Sequence, residues 1–178
     1  MDSHWLEQCR VGDSLAIERL VQTYQQDVYR LALSILDDSD DADDATQEVF
    51  VSALRALESF RGNASFKTWL FSITVNVCRT RLHRQKRRGS LQQILQSLFV
   101  QNQAHPENEA IQSESDSALW PAVHTLDEKH RIPVILLYYH DLSVNEIAET
   151  LGVPVGTVHS RLNHARERLR ALLKEEPR

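Results

Sequence analysis

Thr157, His159, Ser160, Arg161, Asn163, His164, Arg166, Arg168 and Arg170 fall within fourteen positions, with Glu167 as the only acid among them. These groups make no covalent chemistry. Hydroxyl, amide and imidazole groups hydrogen-bond base edges, and guanidinium groups neutralise phosphates. The residues between them position the set. Val158, Leu162, Ala165, Leu169 and Leu172 are spaced four, three, four and three, one buried stripe of a helix. A shorter element precedes it. Ser143 and Glu146 form a capping box, Leu142 and Ile147 staple across it, and Ile147, Ala148 and Leu151 face inward. Gly152 supplies a left-handed helix end, and Pro154 suits the first turn of the next helix. A short helix, a three-residue turn and a longer basic helix predict a helix-turn-helix whose second helix enters the major groove. The alternative is an ordinary helical hairpin with a solvated basic face. The capping box and the nearly acid-free polar face favour DNA.

The composition limits what else the chain does. Its 178 residues, 42% of them hydrophobic, suffice for one or two small cores. The net charge of −5 excludes general electrostatic coating of nucleic acid, yet charge is unevenly placed. Residues 37–44 hold six aspartates, no acid occurs between Glu58 and Glu107, and Arg79, Arg81, Arg84, Lys86, Arg87 and Arg88 crowd into ten positions. Such asymmetry predicts separate faces for separate partners. Cys9 and Cys78 form no metal or redox pattern, and no leader or membrane-length apolar run is visible, so a cytoplasmic protein without membrane insertion is expected. There is no nucleophile–base pair, metal-ligand cluster or phosphate-cradling glycine loop. The expectation is a non-enzyme without cofactor or metal. Asp37, Ser39, Asp41 and Glu48 match calcium-loop ligand positions, but Ala42 replaces the required glycine and helical sequence follows.

Taken in order, the chain reads as all-α. A first helix is expected after Gly12, capped by Asp13 or Ser14, with Leu20, Tyr24, Val28, Leu31 and Ile35 inward. The next, about 41–60, buries Ala42, Ala45, Val49, Ala53, Ala56, Leu57 and Phe60, and exposes Asp43, Asp44, Gln47 and Glu48 on its first turns. After the loop Arg61-Gly62-Asn63-Ala64-Ser65 comes a third helix with Phe66, Trp69, Leu70, Ile73 and Val77 inward, ending in the basic run. Trp69 fits the core better than an exposed stacking platform. The arginine-rich run suits phosphates, with a steep salt dependence. A polar connector broken by Pro106 follows; within it Leu91, Ile94, Leu95, Leu98 and Phe99 have the spacing of a short amphipathic helix. Helical sequence resumes at Ser117, where Pro133 is expected to kink or restart a helix.

Asp40 to Phe50 (Asp-Asp-Ala-Asp-Asp-Ala-Thr-Gln-Glu-Val-Phe), Phe60-Arg61-Gly62, Ser65 to Leu70 and Asn76 resemble region two of bacterial sigma factors. Leu142-Ser143, Leu151 to Val158 and Arg166 to Leu169 resemble their region four. Two such domains with little between them resemble the small extracytoplasmic-function (ECF) sigma factors of the sigma-70 family. The resemblance implies an alternative sigma factor that binds core RNA polymerase, recognises promoter minus-thirty-five and minus-ten elements and promotes melting. Residues 1–88 would be the polymerase- and minus-ten-binding domain, 89–117 a flexible linker threading the polymerase cleft, and 118–178 the minus-thirty-five-binding domain.

By the same resemblance Asp43, Asp44, Gln47 and Glu48 dock on the clamp helices of the largest polymerase subunit, and the second domain meets the polymerase flap. Phe60, Arg61, Asn63, Ser65, Lys67, Asn76 and Arg79 take the minus-ten strand, whose unstacked bases need a pocket and cationic contacts. Thr157, His159, Ser160, Asn163 and His164 face bases of the minus-thirty-five element, with Arg161 and Arg166 on phosphates. An anti-sigma protein is implied as a further partner, with the apolar segment around Leu95–Phe99 a candidate contact. Four positions depart from the family pattern: Pro133, Asp127, a helix-cap residue where many relatives have proline, and His159 and His164 where arginine or lysine is frequent. Histidine, mostly neutral near pH 7, alters the expected base preference. The rival reading is a free-standing helix-turn-helix regulator, which leaves the acidic Gln-Glu face and the loop after Phe60 without a task.

Overall fold

The computed structural model describes residues 3–98 and 119–175, and every regular element among them is helical. An element that the sequence reading did not foresee comes first, helix α1 (Ser3–Arg10). Gly12, at φ +83°, turns the chain, and Trp5 Nε1 donates to Ala16 O at 3.1 Å, folding α1 back onto the next helix. Asp13 caps α2 (Ser14–Leu36), its carboxylate accepting from Ala16 N at 2.9 Å. Two of the clustered aspartates then serve helix ends. Asp37 ends α2 in the left-handed conformation, and Asp38 caps α3 (Ser39–Ala56) by accepting from Asp41 N at 2.8 Å. Short polar side chains tolerate and satisfy such positions. A single 3-10 turn (Leu57–Ser59) closes α3.

Helix α4 (Phe66–Leu98) runs ten residues past the expected domain end at 88. Gly89 does not interrupt it. One glycine costs a helix about 1 kcal/mol, which good helix formers on both sides offset. The segment 91–98 is therefore not a separate short helix but the continuation of α4. The rest of the expected linker, with Phe99, Pro106 and its acids, lies outside the described residues. The second domain holds α5 (Leu119–His124), α6 (Glu128–Tyr138), α7 (Val144–Leu151) and α8 (Val155–Glu175). Asp127 caps α6 as expected, and α6 continues through Pro133 without restarting there.

The expected inward faces are largely in place. Leu20, Val28, Leu31, Ile35, Ala42, Ala45, Val49, Ala53 and Leu70 are buried, and Tyr24, Phe60, Trp69 and Ile73 pack at the core's margin. What the one-stripe reading of α4 missed is that Phe71, Thr74, Val75 and Cys78 are also completely buried. Helix α4 is enclosed on most sides because α2 and α3 cover it within the first domain and α7 of the second domain packs along it. The sequence carried a signal for this: Phe66 to Cys78 contains Lys67 as its only charge. A helical stretch so poor in charge is suited to an enclosed position.

His140 sits in that join. Its ring meets Phe71 edge-on at 5.5 Å, and its Nε2 lies 3.4 Å from Ser34 Oγ of α2. Burial pushes its pKa from the ordinary 6.5 down to about 4, helped by Lys67 and Arg30 and opposed by Asp27 and Asp141. The folded value lies below the unfolded one, so falling pH protonates the unfolded chain first. His140 therefore costs no stability above its ordinary pKa and removes roughly 1.4 kcal/mol per pH unit between the two pKa values. Urea unfolding at pH 7 and pH 5 should show this loss, and His140→Phe should flatten it. A residual slope belongs to His124, whose pKa is also lowered, by burial and by Arg131. The turn between α7 and α8 gives a second test. Gly152 stands at φ +63° and Gly156 is helical, with nothing within 4 Å of an added methyl at either. Gly152→Ala should lose roughly 1 kcal/mol through backbone strain alone. Gly156→Ala should gain up to about 1 kcal/mol in the same urea titration.

Candidate functional site

The helix-turn-helix is built as its sequence dictates. Ser143 N donates to Glu146 Oε2 at 2.9 Å, and Glu146 N donates to Ser143 Oγ at 3.3 Å, completing the capping box. Hydrogen bonds from the Ser143 hydroxyl and backbone hold the Glu146 carboxyl below its usual range. Ile147, Ala148 and Leu151 are buried, and Gly152 adopts the left-handed conformation. Pro154 immediately precedes α8. Val158, Leu162 and Ala165 then anchor α8 inward. His159, Ser160, Asn163, His164 and Arg166 are exposed, while Thr157 and Arg161 are half-buried beside them. Positions 159, 160, 163, 166 and 167 share one outer face. Two of its side chains are already oriented: Arg166 donates to Tyr138 Oη at 3.2 Å and to Asn163 Oδ1 at 3.1 Å. The His164 ring lies 5.8 Å from that of His130.

The acidic face occupies the outer side of α3. Asp43, Asp44 and Gln47 are exposed and Glu48 is half-buried. Arg81, which the sequence placed with the phosphate-following run, instead turns back onto this face. Its Nη2 lies 3.0 Å from Glu48 Oε2, and its Nη1 lies 3.4 Å from Asp41 Oδ1 and 3.8 Å from Asp44 Oδ2. Gln85 also donates to Asp41. Asp44 and Glu48 are thus half-neutralised and held in place, and Asp43 and Gln47 project beyond them.

The third group surrounds the loop between α3 and α4. Gly62 turns it at φ +75°. Ser65 caps α4, its Oγ accepting from Thr68 N at 3.0 Å. Arg10 of α1 donates to Phe60 O at 3.0 Å, a contact sequence reading missed. Phe60, Phe66 and Trp69 pack ring to ring at 5.2–5.5 Å. Beside them a cleft opens between Phe60, Arg61, Asn63, Trp69 and Ser72. Trp69 is therefore both partly packed and part of the cleft wall. Ser65, Trp69, Ser72, Asn76 and Arg79 follow one another at helical spacing, so a polar and aromatic stripe runs from the cleft along α4. Lys67 is off this stripe, paired with Asp27 at 2.8 Å and lying 5.3 Å from the Phe71 ring centre. Arg79 is on it but pairs with Glu128 of α6 at 3.0 Å, and Glu149 of α7 lines the cleft itself.

No helix among the described residues is long and apolar enough to cross a membrane. Comparison with known proteins assigns both domains. The family model for Sigma-70 region 2 matches residues 20–88, and that for Sigma-70, region 4 matches residues 122–171. The ECF RNA polymerase sigma-E factor of Haemophilus influenzae is 35% identical over 174 residues, covering 93% of this chain and 92% of that protein. The ECF RNA polymerase sigma factor SigW of Bacillus subtilis is 30% identical over 178 residues, covering 96% and 95%. Among solved structures, CnrH in complex with the cytosolic domain of CnrY aligns at a TM-score of 0.68 and 26% identity, covering 97% of each chain. The sigma factor RpoE from Bartonella quintana, in complex with the anti-sigma factor NepR, aligns at a TM-score of 0.63 and 26% identity, covering 90% of this chain and 98% of that one. In sequence and in fold, the chain belongs to the ECF RNA polymerase sigma factors, alternative sigma factors of the sigma-70 family.

Proposed function

We propose that this chain binds core RNA polymerase in the cytoplasm, reads both promoter elements and performs no covalent chemistry itself. Residues 1–88 would bind polymerase and the minus-ten element, 118–178 the minus-thirty-five element, and 89–117 would join them, their first ten residues continuing α4. The observation that carries the reading is the presence of three differently suited faces on one chain: the outer row of α8, the cleft-and-stripe of α4, and the acidic side of α3. A free-standing regulator needs the first alone.

Each face has a physical role. Asp43, Asp44, Gln47 and Glu48 offer carboxylates and an amide to a basic helix of the largest polymerase subunit. Phe60, Arg61 and Asn63 wall a cleft suited to a base that has left its stack, with Ser65 fixing the start of α4. Asn76 and Arg79 continue toward the sugar–phosphate chain, and Lys67 joins them once it exchanges Asp27 for phosphate. Thr157, His159, Ser160, Asn163 and His164 meet base edges in the major groove, while Arg161 and Arg166 neutralise phosphates. The second domain would meet the polymerase flap. CnrH was solved with the cytosolic domain of CnrY, and the Bartonella quintana factor with an anti-sigma factor; a comparable inhibitory partner is proposed here.

The test combines the full chain with bacterial core RNA polymerase and a pool of promoter fragments, and sequences the transcripts. Discrete start sites are expected. Gln47→Ala and Asn63→Ala should reduce their use about tenfold or more, equivalent to 1.4 kcal/mol or more of binding or melting. Arg166→Ala should weaken all promoters alike, whereas Asn163→Ala should relax the choice of base at one upstream position. Absence of start sites, with tight binding of a specific duplex by the chain alone, would replace this reading with the free-standing regulator.

A further inference from the structure

The loop that carries Arg61 and Asn63 is a thin wall with open space on two sides. Toward α4 lies the cleft of about 220 Å³ bounded by Asn63, Trp69 and Ser72. On the other side a larger cleft of about 420 Å³ is bounded by Leu6 and Arg10 of α1 and by Ser65 and Phe66. Phe60, Arg61, Gly62 and Ala64 border both. Arg61, Gly62 and Asn63 are exposed, and Gly62 stands at φ +75°. Side-chain packing therefore does little to shape this wall, which is set by what holds its two ends.

The far end belongs to α4, where Ser65 Oγ accepts from Thr68 N at 3.0 Å and lies 2.8 Å from Thr68 Oγ1. The near end is held through Phe60. Its ring packs against Phe66 and Trp69 at 5.5 and 5.2 Å, and its carbonyl accepts from Arg10 Nη2 at 3.0 Å. A peptide unit is planar, so holding the Phe60 carbonyl also places the nitrogen and Cα of Arg61, where the wall begins. The donor is charged, which strengthens the bond. Arg10 is itself well anchored. Its Nη1 donates to Glu7 Oε2 at 3.0 Å, Leu6 and Cys9 bury the inner side of α1, and Trp5 ties that helix to Ala16. The region 2 family model begins at residue 20, so Arg10 lies outside the matched segment.

We propose that Arg10 of α1 is a positioning residue for the minus-ten loop. Its grip on the Phe60 carbonyl sets the wall from which Arg61 and Asn63 project, so α1 governs how well the cleft accepts an unstacked base. Arg10 acts through the loop and not by touching the strand, because a phosphate would have to displace Glu7 or Phe60 from its guanidinium. The proposal rests on the assignment of this cleft to the minus-ten strand, but the tether itself is measurable without DNA.

Nitrogen-15 relaxation of the full chain tests the tether. Arg10→Met keeps the aliphatic stem and removes the donors. Backbone order parameters of Arg61 to Ala64 should fall toward the flexible range below about 0.6, while those of α2 and α4 stay at wild-type values. Should Arg10→Met lose helical circular dichroism, Arg10→Gln replaces it, its amide being too short to reach the carbonyl from the same backbone.

The consequence for DNA is tested with the holoenzyme formed on bacterial core RNA polymerase. The probe is a fluorescein-labelled promoter fragment recovered from the promoter pool, with its minus-ten segment left single-stranded. Arg10→Met should weaken binding about fivefold, as the fraction of chains with a correctly shaped cleft falls. In a chain already carrying Arg61→Ala and Asn63→Ala, the same substitution should change binding less than about twofold, because residues acting in one chain of contacts are not additive. The slope of affinity against salt should match the wild type, whereas loss of a phosphate contact lowers it by roughly 1. Unchanged order parameters in the loop overturn the tether. A loosened loop with full affinity for the probe overturns its part in strand capture. A fully additive loss, or a lowered salt slope, makes Arg10 a direct DNA contact and overturns the positioning role. A loosened loop in a chain that yields no start sites counts against the minus-ten assignment and not the tether.

Discussion

The burial of helix α4 is the constraint on which the remaining structure depends. Phe66 to Cys78 offers one charge, so most of this stretch is suited to burial, with Ser72 and Asn76 on its one polar stripe. Helices α2 and α3 cover part of it, and the loop at its start is tied by Arg10 and by the Ser65 cap. What they leave exposed is covered by the second domain, with His140 against Phe71. Burying one large apolar side chain is worth about 1.5–3 kcal/mol. A handful of such contacts makes docking favourable yet reversible, since polymerase and promoter binding can exceed it.

Charge on α4 is arranged around that apolar centre. Lys67 pairs with Asp27 of α2, Arg79 with Glu128 of α6, and Arg81 with Asp41, Asp44 and Glu48 of α3. Three successive cations of one helix thus bind acids of three different elements. Partly exposed pairs of this kind contribute only about 0–1 kcal/mol each. Their value lies in direction: each cation is kept extended toward a carboxylate. Arg81 differs because its partners belong to the acidic face itself. It lowers the mutual repulsion of Asp41, Asp44 and Glu48, so the face remains ordered and acidic without forcing α3 and α4 apart.

How much of this could be read from the sequence followed the range of the interactions. The helix-turn-helix was fully legible because its determinants are local: Ser143 with Glu146, Gly152 at the turn, and the Val158–Leu162–Ala165 stripe. The caps Asp13 and Asp127 were legible for the same reason. Helix α1 was not, because eight residues carry little periodicity and it is held by a contact from Trp5 to Ala16. Pro133 was read as an interruption from propensity, which packing and good neighbouring formers override. The roles of Arg10, Arg81 and Glu149 depend on which helices meet, and spacing along one helix does not encode that. The enclosure of α4 lay in between, since the missing charges between Lys67 and Arg79 were visible while the covering helix was not.

If the outer row of α8 reads bases as proposed, its selectivity would rest on hydroxyl, amide and imidazole groups beside the arginines. Family members often carry arginine or lysine where this chain has His159 and His164, so its own nonspecific hold on phosphate should be weaker. Asn163 compensates in kind rather than in strength, because an asparagine amide can meet adenine through two hydrogen bonds. Its carbonyl oxygen is already held by Arg166, which Tyr138 holds in turn. A side chain fixed before binding loses less rotamer freedom on meeting DNA. The trade has a limit, however. On the proposed roles of these residues, Arg166 would reach a phosphate only by giving up Tyr138 or Asn163, which would couple base reading to backbone grip through a single guanidinium. A sequence that lets Arg166 keep Asn163 while exchanging Tyr138 for phosphate satisfies both, and one that does not must sacrifice a hydrogen bond. On that proposed reading, selectivity would arise from the exchange as much as from the base contact.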